Sequence, residues 1–191
     1  MIVSLYLILN LFQEFRKELL EISLNNHLVK VLVEKLWARN KYDVMARGYH
    51  YYKDIKEMFR NAVEKDHYLD IFREITCVRN EPYQSHNMRN TLEHMWGYFK
   101  KVASGSEKEA FFNLLSRMHS CPDTYFSLPD EVESVIAFLN EMLDTYPNSY
   151  LSQSHILNKG KTSWNTVIYK KELYRINEAF FSLNTEQIKK R

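Results

Sequence analysis

Glycine and proline are so scarce in this chain that they decide most of what it can fold into. Four of each occur in 191 residues, about 4% together against roughly 12% in average proteins. The glycines stand singly, at Gly48, Gly97, Gly105 and Gly160. A dinucleotide-binding loop, a phosphate-cradling P-loop and a strand-to-helix nucleophile elbow each need clustered glycines, because the backbone must turn tightly or approach phosphate closely. None of these fits. A β-sandwich or barrel needs turn residues every 8–12 positions or so, more than this chain supplies. The expectation is an all-α fold, a single compact multi-helix domain of about seven to eight helices.

With 45% apolar residues the chain can build a packed core rather than remain disordered. Cys77 and Cys121 form no CxxC pair, which argues against a zinc knuckle or a disulfide framework and fits a reducing cytoplasm. Both read as buried, inert thiols. The apolar start, Met1 to Phe12, carries Asn10 and is well short of the ~20 residues that span a bilayer, so no membrane role is expected. Charge is uneven. Residues 1–121 carry a net +3, residues 122–158 a net −6 with no Lys or Arg, and residues 159–191 a net +5. A basic surface beside an acidic one suits a polyanionic partner, although charge blocks are more often plain solvated faces.

Helical periodicity runs along nearly the whole chain. Leu5, Ile8, Phe12, Phe15, Leu19 and Ile22 step by three and four before Asn25-Asn26 interrupt. Val29, Val33, Leu36, Trp37 and Val44 mark a second helix ending near Gly48. Tyr52 to Ala62 and Tyr68 to Ile75 give two more, the latter closed by Asn80-Glu81-Pro82. A fifth is predicted from about Gln84 to Val102. Ser106-Glu107-Lys108-Glu109 reads as the capping box of a sixth, and Ser127 with Pro129 and Asp130 starts a seventh. Tyr169, Leu173, Ile176 and Phe180 suggest a last helix before a basic tail. The organisation expected is an N-terminal helix over 1–26 for packing or an interface, a helical domain over 27–158, and a basic helix and tail over 159–191.

The fifth helix is the informative one. Projected at 100° per residue, Met88, Leu92, Met95, Trp96, Phe99, Val102 and Ala103 share one side. Asn87, Asn90, His94, Gly97, Tyr98 and Lys101 share the other. That second set offers donors, an aromatic face and a cation, and Gly97 lets a ligand, or a packing helix, approach the backbone. Lys41 falls at the edge of an apolar stripe, where it either snorkels or, if desolvated, serves as a base or nucleophile. Tyr49 to Lys53 mixes rings with cations, as surfaces that stack bases do, although helical geometry puts Tyr52 on the core stripe and Tyr49 and Lys53 on another face. Seven histidines form no metal-binding spacing. Neither a metal nor a cofactor is expected.

The stretch Asn90-x3-His94-x2-Gly97-Tyr98-Phe99-Lys100-Lys101, followed by Ser104-Gly105-Ser106-Glu107-Lys108, resembles the YbgA-like bacterial family of unknown function, also described as domain of unknown function 1722. Upstream, Asn40-Lys41-Tyr42-Asp43-Val44-Met45-Ala46-Arg47 is similar to a family element, with Asn40 and Arg47 standing where the family tends to have His. Tyr150 to Leu157 is similar to its Tyr- and Leu-rich end, so that the resemblance spans roughly residues 30–158. It implies an all-helical domain. It also implies a link to a cysteine-rich desulfidase-type domain acting on thiolated uracil or tRNA, beside which the helical domain helps engage RNA. With two cysteines in these 191 residues, that cysteine-rich domain is not expected among them. Carried over residue by residue, the implied binding role falls on Lys41, Tyr42, Asn90, His94, Tyr98, Lys100 and Lys101, with Gly97 between them.

Three functional expectations follow. The first is a cytoplasmic module binding RNA, tRNA among others, or another polyanion, accessory to nucleobase or tRNA sulfur metabolism. The second is a small enzyme of nucleotide or modified-base metabolism with His94 as acid/base and Lys41 as charge stabiliser or nucleophile, although the reading leans away from catalysis. The third is an interaction module whose Leu5–Ile22 stripe docks a second copy, giving a homodimer, or a separately encoded desulfidase-type protein.

Overall fold

The computed structural model describes residues 2–160, 162–183 and 187–188. Among these the chain forms seven α-helices: α1 (Ile2–Arg47), α2 (Tyr49–Asn61), α3 (Lys65–Val78), α4 (Ser85–Trp96), α5 (Gly105–Arg117), α6 (Asp130–Thr145) and α7 (Ser149–Ser152). Three short 3-10 turns and two antiparallel two-stranded ribbons complete it. The first ribbon pairs β1 (Tyr83–Gln84) with β2 (Thr124–Tyr125), and the second pairs β3 (Thr166–Tyr169) with β4 (Glu172–Arg175). The predicted all-α, multi-helix class is the observed one in its helices, with the two short ribbons added to it.

Helix α1 is a single rod of 46 residues, about 69 Å long at 1.5 Å per residue. The interruption expected at Asn25-Asn26 does not occur. Two asparagines cost a helix interior only about 1 kcal/mol, and Asn25 is held from outside, its Nδ2 donating to the Leu183 carbonyl at 3.1 Å. The predicted Leu5–Ile22 stripe concerns side chains outside the described residues.

Two cores form, and α1 contributes to both. In one, Val29, Leu32 and Leu36 of α1 pack with Ile55 of α2, Ile71 and Ile75 of α3, and Val167, Tyr174 and Phe181 from the C-terminal segment. In the other, Tyr42 and Ala46 of α1 meet Met88, Leu92 and Met95 of α4, Phe111 of α5, and Val135 and Leu139 of α6. Each fully buried Leu or Ile contributes roughly 1.5–3 kcal/mol, so α1 is anchored as the wall between two independent apolar masses. Its residues 39–47 lie where those masses meet.

Several local expectations change. Helix α4 ends at Trp96, not near Val102. Gly97 caps it, and the chain continues through tight turns in which Tyr98 N–H donates to Met95, Phe99 to Trp96 and Val102 to Phe99. The helical projection therefore fails past Gly97: Phe99 is buried but Val102 is 54% exposed. Upstream, Asn87 leaves the polar face, being buried with its Nδ2 donating to Gln84 Oε1 at 2.8 Å. The capping box of α5 is Ser104 with Glu107, two residues earlier than predicted, the serine Oγ accepting from Glu107 N–H and the carboxylate from Ser104 N–H. Cys77 is exposed rather than buried. The last predicted helix is the β3–β4 hairpin followed by a 3-10 turn, Glu178–Ser182. Its two-residue loop, Lys170-Lys171, has φ of 50° and 68°, the doubly left-handed turn that matches strand twist. Two lysines give no hint of a loop usually signalled by Asn-Gly.

Candidate functional site

The α1 segment 39–47 carries two groups of polar side chains on opposite flanks, since Lys41 lies about 200° round the helix from Arg39 and from Asp43. On the first flank, Lys41 Nζ sits 4.4 Å from the ring centres of both Tyr42 and Tyr150. Tyr42 and Tyr98 are joined hydroxyl to hydroxyl at 3.2 Å, and Tyr98 stacks on Tyr150 with centroids 6.0 Å apart. Burial pushes the Lys41 ammonium below its ordinary pKa; the Tyr98 and Tyr52 phenols oppose this and Lys56 adds to it. Burial, reinforced by the Tyr98 contact, pushes the Tyr42 phenol up.

This cluster continues onto α2. Tyr52 stacks on Trp37 and on Tyr49, with centroids 5.6 Å apart in both pairs. Lys56 Nζ lies 5.4 Å from the Tyr52 ring and Lys53 Nζ 5.7 Å from the Tyr49 ring. The helical projection separates Tyr52 from Tyr49 and Lys53, but in the structure they stand together, because Tyr49 and Tyr52 are one helical turn apart and Tyr52 is only half-buried. Among the described residues, Lys41, Lys53 and Lys56 have no carboxylate within 4.0 Å. Tyr49 and Tyr98 are 43% and 41% exposed, so ring surface is open to a partner.

Of the residues singled out by sequence, Lys41, Tyr42 and Tyr98 converge here. Gly97 and Lys100 instead line a cleft of about 410 Å³ with Trp96, Lys108 and Phe112. Close approach at Gly97 comes from its own chain: a Cβ there would meet the His94 carbonyl at 3.0 Å. Asn90 is half-buried in α4, while His94 in its last turn and Lys101 beyond it are exposed. No hydrogen bond or ring contact among the described residues joins these three to Lys41, Tyr42 or Tyr98.

The second flank was not anticipated. Asp43 is fully buried and accepts from Tyr83 Oη at 2.5 Å, Arg79 Nη1 at 2.7 Å and Arg47 Nε at 3.4 Å. Burial alone would raise its pKa; Arg47 and Arg79, with the Tyr83 hydroxyl, hold it below the usual carboxylate range. Arg47 also donates to the Glu81 carbonyl and lies over the Tyr83 ring at 3.9 Å. Arg79 reaches Asn40 Oδ1 and His155 Nε2 and lies 4.8 Å from the Trp164 ring. Burial drops the His155 imidazole to about 4 against the pull of Asp43. One signal could have revealed this network: Asn40, Asp43 and Arg47 step by three and four along one face of the helix, beside the apolar Val44, Met45 and Ala46.

Among the described residues no group of three or more His, Cys, Asp or Glu side chains is placed to hold a metal ion. No helix there is long and apolar enough to cross a membrane. The molecule is thus a mostly helical protein whose longest helix carries an aromatic–lysine face on one flank and a buried ion network on the other. A family model described as protein of unknown function (DUF1722) matches residues 41–159, and the chain belongs to that family. No curated protein and no solved structure matches it significantly.

Proposed function

We propose that the protein binds a phosphate-bearing polymer, RNA in the first instance, along the face that runs from Tyr98 and Tyr150 through Lys41 to Tyr52, Tyr49, Lys53 and Lys56. The observation that carries this reading is the Lys41 ammonium, half-buried between two tyrosine rings with no carboxylate beside it among the described residues, at the centre of a connected row of rings and cations. Rings at such a surface stack bases of any sequence, at ~1–3 kcal/mol per base, while unpaired lysines neutralise phosphates. The family resemblance is the reason to try tRNA first, and it supports reading the role as one beside thiolated-nucleobase chemistry, with a desulfidase-type protein as the partner to test.

The test is a mobility-shift titration with total tRNA at 50 and 200 mM salt. A phosphate-driven complex weakens steeply between the two, and the Lys41→Ala/Lys56→Ala variant weakens it further at the lower salt. Absence of any complex at 50 mM salt overturns the proposal.

A further inference from the structure

The buried network leaves donors unanswered and positive charge uncompensated. Three buried polar atoms without a hydrogen-bonding partner fall in this region: Arg39 Nε, Ser154 Oγ and His155 Nδ1. Ser154 and His155 are 1% and 5% exposed, and Arg39 reaches the same segment, its Nη1 donating to the Gln153 carbonyl at 3.4 Å. The proton on His155 can be placed by chemistry. Its Nε2 faces Arg79 Nη2 at 3.3 Å, and a guanidinium only donates. Nε2 must therefore accept, so the imidazole hydrogen sits on Nδ1, where it is a buried donor.

Charge points the same way. Arg47, Arg79 and the exposed Lys159 act on one buried carboxylate, Asp43, with Glu133 as a further acid acting on Lys159, while the half-buried Arg39 is set against Arg79. Arg47 and Arg79 share Asp43, whereas Arg39 has no carboxylate within 4.0 Å among the described residues. A neutral group accepting from Nδ1–H would leave this excess in place. A buried cation without a counter-charge is costly, and a tetrahedral oxyanion offers only acceptors and carries the missing charge.

We infer that Arg39, Ser154 and His155, backed by Arg79 and Lys159, form a binding site for a phosphate group. The site lies on the flank of α1 away from Lys41 and does not depend on RNA binding by the aromatic face.

The probe is inorganic phosphate, titrated at constant ionic strength against chloride, with melting temperature and isothermal calorimetry as readouts. Wild-type protein is expected to show saturable stabilisation in the low millimolar range. Arg39→Gln, at a half-buried position, weakens it at least tenfold, while Lys30→Ala, at an exposed lysine paired with Glu34, leaves it unchanged. With 15N-labelled histidine, the His155 resonance shows hydrogen on Nδ1 and shifts as phosphate is added. A trinucleotide bound more tightly with a 5′-phosphate than with a 5′-hydroxyl, and displaced by inorganic phosphate, assigns the group to a nucleic-acid end; equal trinucleotide binding assigns the free anion. The inference is overturned by stabilisation no greater than chloride gives, by an Arg39→Gln protein that binds phosphate as wild type does, or by a His155 signal with hydrogen on Nε2.

Discussion

Replacing Asp43 by asparagine is expected to be among the most damaging near-isosteric substitutions in this protein. The side chain is fully buried, and two guanidinium groups and a phenol converge on it within 3.4 Å. Asparagine keeps an acceptor for the Tyr83 hydroxyl but removes the charge that Arg79 and Arg47 answer. Breaking a buried pair from one side costs about 3–5 kcal/mol, because the other charge stays behind. Asp43→Ala also strands the Tyr83 hydroxyl, adding roughly 1–3 kcal/mol. Against a total of about 5–15 kcal/mol for a typical domain, the alanine variant approaches unfolding. The assay is urea denaturation followed by tryptophan fluorescence. With a slope near ~2 kcal/mol/M, Asp43→Asn lowers the midpoint by about 2 M. The same physics requires that Arg79→Met, which removes the stranded cation, recover part of the loss in the double variant. A midpoint shift for Asp43→Asn below about 0.5 M, or a double variant no better than the sum of the singles, would show that the carboxylate does not organise this network.

Acid should expose His155. The unfolded imidazole takes up its proton near 6.5 and the folded one only near 4, so lowering the pH through that window favours the unfolded chain. At 1.36 kcal/mol per pH unit the loss by pH 4.5 is roughly 2–3 kcal/mol. Stability curves at pH 7 and pH 4.5 check this, and His155→Gln should flatten the difference; an unchanged slope in that variant counts against the assignment. In the hairpin, Lys170→Asn/Lys171→Gly relieves two left-handed lysines and should raise stability by about 1 kcal/mol in a thermal melt, whereas a loss would mean the turn is held for another reason. Ser104→Ala removes one half of the α5 capping box and should cost about 1 kcal/mol, read by the same melt. Lys41→Ala should lower the dependence of tRNA binding on salt by close to one unit of log-log slope, and an unchanged slope would take Lys41 out of the phosphate contacts.

The elements that could be read from sequence are those whose cause is local. Apolar residues at steps of three and four must lie on one face of a helix wherever it forms, so the bodies of α2, α3, α5 and α6 follow from spacing alone. The same holds for the helical stretch Val29–Val44 of α1. Ends and breaks were legible only in part. Asn25-Asn26 reads as a stop, but a hydrogen bond to a residue 158 positions away carries the helix through. Val102 reads as core, but Gly97 ends the helix and turns it outward. The hairpin at 166–175 hides behind a helical spacing of Tyr169, Leu173, Ile176 and Phe180, because four-residue strands are too short to impose their own period.

Of the site, residue types and the central segment were visible beforehand, and the pairings were not. That Lys41 and Tyr42 stand near chemistry could be argued from their place at the edge of an apolar stripe. That Tyr150 would close over Lys41, or that Arg79 would reach both Asp43 and His155, could not. Those partners lie 36 residues apart for Asp43 and Arg79, and 76 for Arg79 and His155, and nothing in the intervening sequence sets their distance. By itself the sequence determined a glycine-poor helical chain with too little turn chemistry for the common nucleotide loops. Only the packing of two cores against the two sides of α1 decided which cations stay solvent-facing among rings and which are driven inward. Burial and electrostatic pairing depend on positions in space, and those exist only once the helices have docked.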